Sequence, residues 1–319
     1  MKPPYEITTE MLRLTASVSE KIGEIKAAKL IKPPTELRKR NRIKSIQSSL
    51  EIEGNTLTVE QITDLINNKR VLAPQKDLVE VKNAIELYEK IKEFNPYRLD
   101  SLCRAHGILM HALVDSPGQF RTTSVGILKG DNITHVAPPG DMVYPLMKDL
   151  FDYLENDDDL LLIKSCVFHY EFEFIHPFSD GNGRMGRFWQ TVILNSYSPV
   201  FEFLPIESLI KERQQEYYEV LGDADNKGSS TGFITFMLNI INQALEDLLR
   251  TQNYAVTGID RIQQFSNFIG TKVFTRQDYL RHNKGISTAT ASRDLKEAVE
   301  KKMIVKTGDK RLTAYQFVK

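Results

Sequence analysis

The chain has 319 residues, 41% of them hydrophobic, with 42 lysines and arginines balanced by 42 aspartates and glutamates. That length allows about two domains with a full core, and zero net charge excludes a chain that adheres to nucleic acid or membrane through bulk charge. The two cysteines, Cys103 and Cys166, lack the spacing of a disulfide framework or zinc site; no run reaches the roughly 18 apolar residues of a membrane span, and the opening MKPPYEITTE has no apolar signal core, so the expectation is a soluble, cytoplasmic protein.

Apolar spacing predicts helices over 11–28 and 36–53 on either side of the breaker Pro33-Pro34, then over 59–67, 78–94 and 99–113. Near the end of the second helix, Ser49 and Glu53 are four apart and share a face, and Gly54 suits a left-handed helix end. The segment 125–136 sets apolar residues on both sides of Gly130-Asp131-Asn132, the composition of a β-hairpin. A helix over 145–154 follows, and then one over 160–174 that is apolar all round, as expected at the centre of a bundle. Helices over 207–221 and 233–249 are joined by a Gly- and Ser-rich link over 222–232 that reads as flexible. The fold class is therefore mainly α, a helical bundle with one short hairpin and a smaller C-terminal domain.

Between the central helix and the next lies His176-Pro177-Phe178-Ser179-Asp180-Gly181-Asn182-Gly183-Arg184-Met185-Gly186-Arg187. It joins a titratable base, a carboxylate, two glycines and two guanidinium groups in twelve positions. Glycines let the backbone lay its N–H groups against an anion, and the helical apolar spacing after Arg184 puts them at a helix N-terminus, where phosphate is favoured. These residues point to phosphate chemistry.

The string resembles the signature of the Fic (filamentation induced by cAMP) family, H-x-F-x-D/E-G-N-G-R-x-x-R, at every specified position. The resemblance implies transfer of AMP from ATP to a hydroxyl of a target protein. His176 would be the general base and Asp180 the Mg²⁺ ligand; Gly181, Asn182 and Gly183 would cradle phosphates, and Arg184 and Arg187 would hold the outer ones. Phe178 would plug the core. Gly183 sets the string apart from Doc-type kinases, which replace that glycine. The hairpin 125–136, led in by Pro117-Gly118-Gln119-Phe120-Arg121, resembles the family's flap, which docks the target protein. Tyr218 lies in a segment similar to one near the nucleotide base. His106, His111, His135 and His169 have no partner spacing and read as structural or surface residues.

Ser49 to Gly54 also resembles the family's inhibitory helix, S/T-x-x-x-E-G/N. That implies autoinhibition, with Glu53 able to form a two-bond ion pair with Arg187 and so take the partner of the ATP γ-phosphate. The resemblance leaves removal of AMP open as an alternative activity, and a homodimer open as well. From Arg261 to Lys319 there are 13 basic and 5 acidic side chains, net +8 against −8 for the remainder. Helix, turn, helix and two strands there, with Thr290-Ala291-Ser292-Arg293-Asp294-Leu295-Lys296, resemble a winged helix, so DNA contact through 265–319, with the Fic domain as a nucleotide sensor, is a further alternative. The expected domains are a helical region over 1–95 containing the inhibitory helix (about 36–53), a catalytic core over 96–250 and a winged helix over 258–319.

Overall fold

The structure, a computed structural model, describes residues 2–27, 35–124, 126–129, 132–253, 258–283, 285–309 and 313–318. It is mainly helical and divides into two compact units, Met1–Leu249 and Arg250–Lys319. Pro33, Pro34 and the turn residues Gly130 and Asp131 lie outside the described residues. No helix among the described residues is long and apolar enough to cross a membrane.

In the first unit, α1 (Thr9–Ala27), α2 (Thr35–Ile52), α3 (Val59–Ile66), α4 (Gln75–Glu89) and α5 (Leu99–Leu109) precede the hairpin of β1 (Gly126–Lys129) and β2 (Asn132–Val136). The α3 start is fixed by a capping box between Thr58 and Gln61, two reciprocal bonds that satisfy otherwise orphaned N–H groups. The strands pair antiparallel from Gly126 with Val136 to Lys129 with Asn132, with a register shift after Ile127. Then come α6 (Gly140–Asn156), α7 (Leu161–Ile175), α8 (Asn182–Tyr197), α9 (Ile206–Glu212), α10 (Gln214–Lys227) and α11 (Thr231–Asn253).

As its all-round apolar sequence predicts, α7 is buried on nearly every side, Lys164, Ser165 and His169 included. The Lys164 ammonium reaches the carbonyl of Asp157 at 2.8 Å, which keeps its charge hydrogen-bonded. Along α8, Met185, Phe188, Trp189, Val192 and Ile193 are all buried. A methyl group at Gly186 would stand 3.2 Å from the His169 ring and 3.3 Å from that of Phe172, so the close approach of the two helices depends on that glycine.

Three expectations are corrected. The helix over 207–221 is two helices, parted at Arg213. The link over 222–232 is not loose at its start: α10 continues to Lys227 and ends at Gly228 in the left-handed region. Burial of Ala224 and a 2.9 Å bond from the Tyr170 hydroxyl to Asp225 outweigh the weak helix propensity of Gly222 and its polar neighbours. Finally, Pro145 lies inside α6 rather than at its start, because Val143, Met147, Leu150 and Leu154 together bury one face.

The second unit holds α12 (Gly258–Ile269), α13 (Arg276–His282), α14 (Thr288–Glu300) and an antiparallel pair, β3 (Ile304–Thr307) with β4 (Ala314–Phe317). Phe274 extends the pair by bridging Tyr315. Its core is Ile262, Phe265, Phe274, Tyr279, Leu295 and Ile304. Arg261 and Asp294 form a two-bond ion pair at 2.7 and 2.9 Å.

Candidate active site

Helix α7 stops at Ile175 because Pro177 cannot continue it. His176, its C-cap, takes a left-handed conformation with φ +49° and donates its N–H to the Phe172 carbonyl at 3.0 Å. The chain then folds inward, and Phe178 is fully buried. Asn182 closes the loop with a two-bond clasp: its Oδ1 accepts the Phe178 N–H and its Nδ2 donates to the Phe178 carbonyl, both at 2.9 Å. The Asn182 side chain thus holds the loop closed. Gly181 sits at φ +83° as the N-cap of α8, and a Cβ there would meet the Met110 sulfur at 2.6 Å. Steric and dihedral constraints both require glycine.

Two residues outside the motif hold this loop. His106 stacks on Phe178, ring centroids 3.6 Å apart. Its Nδ1 lies 2.9 Å from the Gly118 N–H and so must accept; Nε2 therefore carries the proton and donates to the Asp180 carbonyl at 2.9 Å. Burial pushes its pKa down to about 4, which keeps the ring neutral and this tautomer in place. The buried Arg121 donates to the carbonyls of Ile175 and His176 on one side and of Thr123 and Pro138 on the other, at 2.6 to 3.0 Å. It ties the loop to the two ends of the hairpin segment.

The charged groups converge on the start of α8. Arg187 is 2% exposed. Its Nη2 donates to Glu53 Oε1 at 2.7 Å and to the Ser49 carbonyl at 3.0 Å, and its Nε reaches the Ser49 hydroxyl at 3.2 Å. The expected two-bond ion pair is therefore corrected to one bond from Glu53, with Ser49 taking two further donors. Burial alone would depress the Arg187 pKa; the groups around it, Glu53 foremost with Tyr217 and Glu173, together outweigh burial, and the pKa is raised. The same Glu53 oxygen lies 2.5 Å from where a Cβ of Gly183 would stand. A carboxylate thus rests against the first turn of α8, where free N–H groups and the helix dipole favour an anion.

Arg184, also buried, donates from Nη1 to Glu80 Oε1 at 2.9 Å and from Nη2 to Asp180 Oδ1 at 3.0 Å. Its Nε is buried with no partner among the described residues, a donor suited to an anionic oxygen. The Asp180 side chain is 52% exposed. Among the described residues no cluster of three or more His, Cys, Asp or Glu could hold a metal alone. Asp180 fits Mg²⁺ in the usual way, as one carboxylate completed by phosphate oxygens.

The two tyrosines part company. Tyr217 is fully buried, its hydroxyl 3.1 Å from His169 Nε2. Tyr218 is 38% exposed; burial, then the Glu53 charge, raises its pKa. The structure thus gathers His176, Asp180, Gly181, Gly183, Arg184, Arg187, Ser49 and Glu53 around one helix start, with Tyr218 near the Glu53 and Arg187 charges. Glu80, His106 and Arg121 were not assigned to the site from sequence. Arg121 alone carried a signal, its place in the lead-in to the hairpin.

A Fic/DOC family model matches residues 96–194. The chain is 26% identical over 274 residues to the protein adenylyltransferase Fic of Nematostella vectensis, covering 82% of this chain and 61% of that protein. It is 29% identical over 208 residues to the protein adenylyltransferase fic-1 of Caenorhabditis elegans, covering 60% and 38%. The chain therefore spans less than two thirds of either curated relative. Among solved structures, a Fic family protein from Desulfovibrio desulfuricans G20 superposes with a TM-score of 0.76 at 39% identity, covering 100% of this chain and 98% of that one. Fic-1 from C. elegans superposes at 0.63 with 18% identity over 77% of this chain and 73% of that one, a likeness of fold.

Proposed function

The chain belongs to the Fic family, and on that premise we propose that it is a protein adenylyltransferase held off by its own α2. The reaction takes ATP and a hydroxyl side chain of a target protein. His176 accepts the hydroxyl proton as the oxygen attacks the α-phosphorus; a new O–P bond forms, the bond to the β-phosphate oxygen breaks, and pyrophosphate leaves. Gly183 and the first turn of α8 receive phosphate oxygens, Arg184 and Arg187 neutralise the outer phosphates, and Tyr218 borders the base. Mg²⁺ held by Asp180 would supply further charge neutralisation. Positioning and charge carry most of the rate in such a transfer. The hairpin is the docking edge for an extended segment of the target, by backbone pairing.

The observation that carries this reading is the Glu53 carboxylate, 2.7 Å from Arg187 and against Gly183. It is an internal anion placed where a phosphate oxygen belongs, which supports both the phosphate site and the autoinhibition. The test is the Glu53→Gly protein with Mg²⁺ and ATP labelled at the α- or the γ-position. Self-labelling from α-labelled ATP should rise by ~10-fold or more over wild type, since a charge-assisted bond no longer competes with the nucleotide. Equal labelling of the two proteins sinks the autoinhibited transferase; label from the γ-position alone makes it a kinase.

The C-terminal unit supports a second reading, a winged helix in contact with DNA. Its element order, its basic excess and the exposed Arg276, Arg281, Arg293 and Lys296 on α13 and α14 favour that reading. A gel shift with random duplex at low salt that shows no retarded band removes it.

A further inference from the structure

The turn that closes α2 carries two polar side chains with different destinations. Glu53 reaches Arg187. Asn55, 6% exposed, donates from Nδ2 to Glu80 Oε2 at 2.8 Å and to the Asp77 carbonyl at 3.2 Å, while its Oδ1 accepts the Leu57 N–H at 3.1 Å. Glu80, on α4 and 8% exposed at its side chain, accepts Arg184 Nη1 on its other oxygen at 2.9 Å. Arg184 Nη2 in turn holds Asp180. Both guanidinium groups of the motif thus lead back to one three-residue turn, Arg187 in one step and Arg184 in two.

The donor and acceptor pattern explains why position 80 is glutamate. The Leu57 N–H fixes the orientation of the Asn55 amide, so Nδ2 faces Glu80. Arg184 also presents a donor. The residue between them must accept on both oxygens, which an ionised carboxylate does and an amide cannot. An aspartate would keep the acceptors but fall one methylene short.

We propose that Glu80 is a positioning residue for Arg184, with Asn55 as its anchor, so that the turn Glu53–Asn55 governs both guanidinium groups, holding one back from the nucleotide phosphates and aiming the other at them. The inference rests on the nucleotide site proposed above. Arg187 is withheld by this turn, whereas Arg184 is aimed by it. Displacing the whole turn would therefore free one arginine and misdirect the other, and only a small movement of Glu53, with Asn55 left in place, yields a fully armed site.

The test is calorimetric binding of ATP with Mg²⁺ to the full-length Glu53→Gly protein, alone and with Asn55→Ala, Glu80→Gln, both together, or Asn55→Asp with Glu80→Gln. Asn55→Ala and Glu80→Gln should each weaken ATP binding by ~10-fold, the scale of one lost bond to a charged group. Their combination should be no weaker than Glu80→Gln alone, because both break one chain of contacts. Asn55→Asp with Glu80→Gln sets an acceptor against the new amide but also turns an oxygen toward the Asp77 carbonyl, which Nδ2 reached at 3.2 Å; part of the affinity lost in Glu80→Gln should therefore return, a rescue that general loss of structure does not permit. Unchanged affinity in Glu80→Gln, or additive losses without rescue, overturns the inference. Should Glu80→Gln not fold, unchanged affinity in Asn55→Ala overturns it by itself. ATP binding by the Glu53→Gly protein without transfer of α-label overturns the transferase reading and leaves this one standing; absence of ATP binding overturns both.

Discussion

Two helix contacts of the first unit mix apolar and polar material in different proportions. Helices α7 and α8 bury Phe168, Phe172, Met185 and Trp189 completely, approach closely at Gly186, and share one short side-chain bond, His169 to Gln190 at 2.8 Å. Helix α2 meets α9 and the turn before it through polar bonds: Asn41 Nδ2 to the Phe203 carbonyl at 2.9 Å, Ser45 to Glu207 at 2.7 Å, and Ser48 to Ser208 at 3.0 Å. Arg42 pairs with Glu202 at 3.1 Å. Apolar burial is lost in full when such helices separate, at about 25 cal/mol per Å², whereas each of these hydrogen bonds nets only about 1 kcal/mol, because water replaces it on separation. The frame that carries His176 and the two arginines is therefore the durable contact. The helix that carries Glu53 also buries Ile43, Ile46, Leu50 and Ile52, but it adds a row of replaceable polar bonds to them, a sensible division if Glu53 must sometimes let go.

That contrast can be tested at three strengths. Phe172→Ala opens a cavity between α7 and α8 and should cost about 3–5 kcal/mol, seen as a large fall in the denaturation midpoint. Glu207→Ala leaves the Ser45 and Tyr88 hydroxyls, at 2.7 and 2.9 Å from the carboxylate, without their shared acceptor. Its cost should be about 1–3 kcal/mol, together with increased α-label transfer as α2 loosens. Burial raises the Glu207 pKa above its ordinary 4.5, so its contribution to stability is complete below pH 4.5 and is lost as pH climbs through the raised value. Glu207→Gln keeps both hydroxyls bonded and should flatten that slope in a series of melts against pH. Ser48→Ala, the mildest, should cost less than about 1 kcal/mol and raise labelling slightly. If Ser48→Ala destabilises as much as Phe172→Ala, the two contacts are not different in kind.

Most of the helical order was legible in sequence, because apolar periodicity is local and strong: α2 and α7 were placed to within a residue or two of their ends. The errors fell where tertiary contacts overrode local preference, as when Ala224 and Asp225 hold α10 past Gly222. At the site, the motif residues were legible because they are contiguous, and Glu53 because its helix resembles a family pattern. Glu80 and Asn55 were not, since a carboxylate on one helix and an amide 25 residues earlier leave no shared spacing. Asn182 was visible as a motif residue, but its clasp on Phe178 was not, because that pairing is made only by the folded loop.

Arg121 has a consequence for how such a protein can change. Its guanidinium spans the loop that bears His176 and the ends of the hairpin segment, yet among the described residues every acceptor it uses there is a main-chain carbonyl, those of Thr123, Pro138, Ile175 and His176. Main-chain acceptors are the same whatever side chain is attached. Substitutions along the hairpin, and at Thr123 beside it, can therefore accumulate without disturbing the seat of the histidine, provided the arginine stays. One arginine thus leaves the surface that would meet a target free to diversify.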